Sequence, residues 1–179
     1  MKKQLMIALF GGLILFSACT KDEDDDNDGT TTTASELVVD GTTYALGSAF
    51  LEHYSDYGVN SNNLDLIMLS DGITVYYDED NYPDSISGSG YMAYFESFSS
   101  DSTYLSNGTY TADTTLTVNT FATAWVAPVN NGEVNETDQI MSGSFTVNRA
   151  DNVYTITGSG KDHNSKDFNF SFNGAITVF

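Results

Sequence analysis

Outside the N-terminal acidic run, the densest set of oxygen ligands in the chain is Asp78-Glu79-Asp80-Asn81-Tyr82-Pro83-Asp84. Calcium takes six to eight oxygens, and alternating carboxylates on a loop can supply them, with Asp78, Asp80 and Asp84 as the candidate ligands. The run lacks the glycine at position six and the distal glutamate of an EF-hand loop, so a solvated loop is the ordinary alternative. A second group is aromatic: Tyr91, Tyr94, Phe95, Phe98, Tyr104, Tyr110, Phe121 and Trp125 crowd the middle of the chain. In Tyr91-Met92-Ala93-Tyr94-Phe95 aromatics occupy both phases of a strand, which points some of them outward. Tyr91, Tyr94 and Trp125 are the candidates for contact with a sugar ring or a protein partner, since such rings bury apolar area while keeping a polar tip wet. The competing explanation is core packing with cross-strand tyrosine pairs.

Catalytic patterns are scarcer, and no catalytic residue is assigned. There is no Gly-x-Ser-x-Gly elbow; Gly88-Ser89-Gly90 and Gly158-Ser159-Gly160 read as flexible strand ends. Cys19 is the only cysteine, so no disulfide can form within the chain. His53 and His163 are the only histidines, and a zinc site would need both together with carboxylates. Glycoside hydrolysis needs only two carboxyl groups about 5–10 Å apart, but nothing marks Glu52 or Glu96 as special beyond their strand positions among aromatics. With no other mark of a site, the expectation is a non-enzymatic binding or interaction domain with no cofactor beyond the calcium candidate. Its alternatives are a carbohydrate-active or other hydrolytic protein using paired carboxylates, and a structural component of the cell envelope.

Charge narrows the partners. Six Lys and Arg face 25 Asp and Glu, a net charge of −19 that becomes −21 once Lys2 and Lys3 leave with a leader. A polyanion lacks the basic footprint that nucleic acid requires, and anionic headgroups repel it too. Any hold on a membrane must be covalent.

Such a hold is legible at the N-terminus. Lys2 and Lys3 precede twelve predominantly apolar residues, 5–16, too few to span a bilayer, which takes about 20. Phe16-Ser17-Ala18-Cys19 then resembles the lipobox cut by the lipoprotein signal peptidase, with Phe where Leu is usual. That resemblance implies a signal peptide over residues 1–18 and acylation of Cys19, whose two or three chains would anchor stably where one would not. Residues 19–35 carry the lipidated cysteine and a tether: the acids from Asp22 to Asp28 and a threonine run cannot collapse, and sixteen such residues reach roughly 20–25 Å or more. Lys21 followed by acids is similar to the export signal that sends lipoproteins of the Bacteroidota to the outer face of the outer membrane. It implies cell-surface display.

Residues 36–179 form one domain by length. In the C-terminal run Phe168, Phe170, Phe172, Gly174, Ile176 and Val178 alternate with polar positions, as in a strand wet on one face. Segments 143–149 and 152–160 precede it in a meander. Asp71-Gly72 predicts a tight hairpin between 64–70 and 73–77. Further strands are expected over 37–39, 43–54, 90–98, 108–112 and 116–126, the last with a bulge between Val118 and Phe121. Nine or ten such strands predict an all-β fold, an antiparallel β-sandwich or a partly closed β-barrel. The domain resembles small surface lipoproteins of the Bacteroidota through Phe50-Leu51-Glu52-His53-Tyr54, residues 63–73, Ser85-Ile86-Ser87-Gly88-Ser89-Gly90, Asn107-Gly108-Thr109-Tyr110, residues 142–147 and Tyr154-Thr155-Ile156-Thr157. The resemblance implies a β-rich exported domain and no particular activity.

Overall fold

The structure is a computed structural model that describes residues 34–57, 61–135 and 139–179. The leader, Cys19 and the tether up to residue 33 lie outside the described residues. Thirteen strands follow in order: β1 (Glu36–Val39), β2 (Thr42–Tyr57), β3 (Ser61–Ser70), β4 (Ile73–Tyr77), β5 (Pro83–Gly88), β6 (Gly90–Ser99), β7 (Gly108–Ala112), β8 (Thr120–Asn130), β9 (Glu133–Val134), β10 (Ile140–Ala150), β11 (Val153–Asp162), β12 (Asp167–Ala175) and β13 (Thr177–Val178). Among the described residues no helix forms, so the fold is all-β as the alternation predicts.

Nine of these strands close a barrel in the order β1-β12-β11-β10-β7-β8-β6-β3-β2, with β1 pairing back onto β2 from Glu36↔Ala45 to Val39↔Thr42. The expected meander is its most regular wall: β10, β11 and β12 pair antiparallel in an unbroken run from Val153↔Ala175 to Lys161↔Asp167 on one side. The barrel is mixed rather than wholly antiparallel. At one seam β7 and β8 run parallel over only two residue pairs, Thr111↔Thr120 and Ala112↔Phe121, where Asp113 N–H reaches the Phe121 carbonyl at 3.0 Å. Beyond this seam β8 and β10 separate around a 420 Å³ cavity bounded by Asp113, Phe121, Ala124 and Ile140.

Three local expectations change. Asp71-Gly72 turns the chain but makes no hairpin: both edges of β3 are taken, by β2 and β6, so β4 leaves the barrel and pairs with β5 as a separate two-stranded arm. The strand expected from 116 starts only at Thr120, because Leu116 and Asn119 take positive φ, and its bulge falls after Phe121, opposite Phe95 and Ser97. Gly158 and Gly160 are mid-strand, not strand ends. A Cβ on Gly158 would lie 2.6 Å from the Phe170 ring and one on Gly160 would lie 2.7 Å from the Phe168 ring, so these glycines make room for core aromatics.

The inward positions form one core. Leu51, Leu64, Leu66, Met68, Phe95, Tyr110, Phe121, Phe145, Val147, Ile156, Phe168 and Phe170 are all buried in it. Phe145 is its hub, with ring centroids at 5.0 Å from Phe95, 4.8 Å from Tyr110, 5.8 Å from Phe121 and 6.4 Å from Phe170. Outside, the β7–β10 wall is polar: Thr109 and Thr146 meet hydroxyl to hydroxyl at 3.0 Å. On this wall the apolar side faces in and the polar side out, the reverse of a lipid-facing strand. Removing the hub should be costly: Phe145→Ala is expected to lose about 3–5 kcal/mol in urea unfolding followed by Trp125 fluorescence. A loss under about 1 kcal/mol would contradict this account of the core.

Candidate functional site

Two parallel rows cross the outer face of β2, β3, β6 and β8. Register sets them. Glu52 faces Asp65 and Asp65 faces Glu96, so three carboxylates stand on adjacent strands at the cross-strand spacing of about 5 Å between Cβ atoms. One step along each strand, on the same face, come Phe50, Ile67, Tyr94 and Trp125. The Tyr94 and Trp125 rings stack with centroids 4.8 Å apart and planes at 14°. Both rings are half-buried, which leaves part of each open to a ligand.

The β4–β5 arm lies beside this face and shapes one end of it. Val75, Pro83 and Ile86 of the arm, with Phe179, close over Phe50, Ile67, Leu69 and Met92 to leave an apolar cleft of 180 Å³ that Glu52 also lines. Phe179 ties the arm down, stacking with Phe50 at 5.8 Å and meeting Tyr77 and Tyr82 at 6.0 Å each.

Asp65 is the unusual member. It is only 7% exposed, a rare condition for a carboxylate, and its Oδ2 accepts a 2.7 Å hydrogen bond from the Tyr94 hydroxyl. Its Oδ1 and the Oδ1 of neighbouring Asn63 are buried without partners, while Asn63 Nδ2 donates to Glu96 Oε1 at 3.3 Å. Burial pushes the Asp65 carboxyl up to about 6; the Tyr94 bond opposes this, and the Glu96 and Glu52 charges add to it. The same burial, with the bond to Asp65, raises the Tyr94 phenol well above its ordinary value.

The structure separates the sequence candidates. Tyr94 and Trp125 come together, but Tyr91 lies on the other face of β6, where it packs against the core and meets Tyr44 at 4.3 Å. Glu52 and Glu96 do join one site, through Asp65, which the sequence reading did not single out. Asp78 is spent on its own loop: its Oδ1 accepts from the Asp80 N–H at 2.9 Å and the Tyr82 N–H at 2.8 Å, closing the β4–β5 turn. Asp80 is exposed, and Asp84 accepts from the Ser85 hydroxyl at 3.4 Å. Among the described residues no three His, Cys, Asp or Glu side chains gather as a metal-binding set, whether at these acids or at His53 and His163. Cys19 lies outside the described residues. The acid row was hidden because nothing local reveals which residues of β2 and β6 will flank residue 65.

Comparison with protein-family models, curated proteins and solved structures gave no match to this chain.

Asp65 carries a pH signature. Its proton is held more tightly folded than unfolded, so its ionisation lowers stability as the pH rises from about 4 through about 6, and the cost is complete above that. The ceiling on that cost is roughly 3 kcal/mol. Asp65→Asn should therefore unfold at higher urea than the native chain at pH 7.5, with the gap closing by pH 4.5. An equal gap at both pH values would count against a strained carboxylate here.

Proposed function

We propose that this chain is a lipid-anchored, surface-displayed binding protein, non-enzymatic, whose barrel offers the Tyr94–Trp125 pair and the adjoining carboxylates to a carbohydrate. The observation that carries this reading is the stacked pair beside the Glu52–Asp65–Glu96 row on one outer face. A sugar presents apolar C–H patches to aromatic rings and hydroxyl donors to carboxylates, and this face has both within one strand step. The shape supports binding over turnover: the cleft beside the face is lined by one acid, Glu52, and is otherwise apolar.

The membrane part of the proposal rests on the lipobox-like Phe16-Ser17-Ala18-Cys19 and the Lys21-led acidic run. With a net charge of −21 on the chain after leader removal, the protein has no electrostatic reason to stay at an anionic surface. Palmitate labelling should mark the native chain and not Cys19→Ala, and proteinase applied to intact cells should remove the domain.

One observation favours the hydrolytic reading as second choice. Asp65, whose carboxyl burial pushes up to about 6, faces Glu96 across the strands, and two carboxyl groups at that spacing are what acid-base cleavage of glycosides uses. Glycan-array binding separates the two. The binding reading expects retained, uncleaved glycan on the native chain and at least tenfold weaker retention with Trp125→Ala. Release of reducing ends that stops in Asp65→Asn would replace it with the hydrolytic one.

A further inference from the structure

Arg149 is the only arginine in a chain with 25 acids, and its surroundings are unlike those of a surface basic residue. It sits where β10 turns into β11, at one end of the barrel. Its backbone is pinned from both sides by Asn107, whose Oδ1 accepts the Arg149 N–H at 2.7 Å and whose Nδ2 donates to the Arg149 carbonyl at 3.5 Å. The guanidinium lies over the Tyr104 ring at 4.1 Å and 5.7 Å from the Tyr154 ring. Among the described residues no carboxylate pairs with it, and its Nε is buried without a hydrogen-bond partner. An arginine in so acidic a chain ordinarily finds an acid. This one stacks on a tyrosine instead.

The walls around it are fixed in advance. Asp101 closes the turn before Tyr104, its carboxylate taking the Thr103 N–H and hydroxyl at 2.8 Å each. The Tyr154 ring, itself buried, stands on the other side of the guanidinium. Between these groups lies a cavity of 250 Å³, with Thr103 and Asn152 as its polar edge and Ile176 and Val178 as its apolar one. It shares no residue with the Tyr94–Trp125 face.

We infer that this cavity is a second binding site, one that takes a small ligand bearing a single carboxylate on an apolar body. The guanidinium fork matches a carboxylate with two parallel hydrogen bonds, and stacking on a phenol occupies its face, not its edge. One positive charge suits a monoanion. A phosphate dianion would keep an uncompensated charge inside a strongly negative chain, where no other basic residue lines the cavity. Ile176, Val178 and the two phenol rings suit a hydrocarbon or aromatic body. The volume falls below the roughly 300–1,000 Å³ of drug-sized sites, which limits that body to about one ring.

Calorimetry on the full-length chain tests this with phenylacetate, its neutral amide and phenyl phosphate. Phenylacetate should bind, and the amide and the phosphate should each bind at least tenfold more weakly. Arg149→Met should cost phenylacetate at least tenfold. Val178→Trp, which fills the cavity from an exposed position and leaves the guanidinium in place, should cost as much with an unchanged melting curve. No heat at millimolar phenylacetate would overturn the inference, as would equal binding of the amide, preference for the phosphate, or binding that survives Val178→Trp. Should Arg149→Met not fold, the Val178 variant and the three ligands decide alone.

Discussion

The fold depends on aromatic rings meeting at the centre of a barrel. Phe145 on β10 touches Phe95 on β6, Tyr110 on β7, Phe121 on β8 and Phe170 on β12, so one side chain links five of the nine staves. Edge-to-face and stacked pairs of this kind add to what burial alone contributes. Glycine on β11 completes the arrangement, because only a residue without a side chain lets Phe170 and Phe145 approach where Gly158 stands. With no disulfide in the chain, closure of the wall and filling of the interior are one event.

With the interior filled, the proposed carbohydrate site rests on the outer surface. Outward positions on β2, β3, β6 and β8 are neither uniformly wet nor uniformly polar: Phe50, Ile67 and Leu69 are sheltered by the β4–β5 arm, and Asp65 sinks beneath the Tyr94 hydroxyl. A buried carboxylate with one unpartnered oxygen is a cost that folding tolerates. Such strain concentrates at sites with a task, and here it lies one strand step from the only stacked pair on that face that includes the chain's single tryptophan.

How much of this was legible depends on the range over which each signal acts. Alternation in 168–172 and 154–156 is local, and it named the strands and their buried faces. The parity of β6 was also available: Tyr91 and Tyr94 are three residues apart and must face opposite ways in a regular strand, so only one of them could join Trp125. Asp71-Gly72 misled because a turn signal says that the chain reverses, not that its two arms find each other. Whether they do depends on which edges of β3 β2 and β6 have filled. The Glu52–Asp65–Glu96 row was illegible for the same reason, since it exists only through two non-local registers, and the pinning of Arg149 by Asn107 spans 42 residues of chain.

The seam between β7 and β8 gives the wall an order of opening. The other joints of the barrel hold at least four successive pairs, nine between β11 and β12, but β7 and β8 are joined by two. A ring with one short joint breathes there before it breathes anywhere else, since parting two pairs exposes little backbone and leaves the hub rings in place. The cavity beside that joint, bounded by Phe121 and Ile140, brings open space up to a core aromatic there. Amide exchange in this protein therefore has a compass point. The first barrel protons expected to exchange are those of Thr111 and Asp113, which cross this joint, while those of the nine-pair run between β11 and β12 are expected to outlast them.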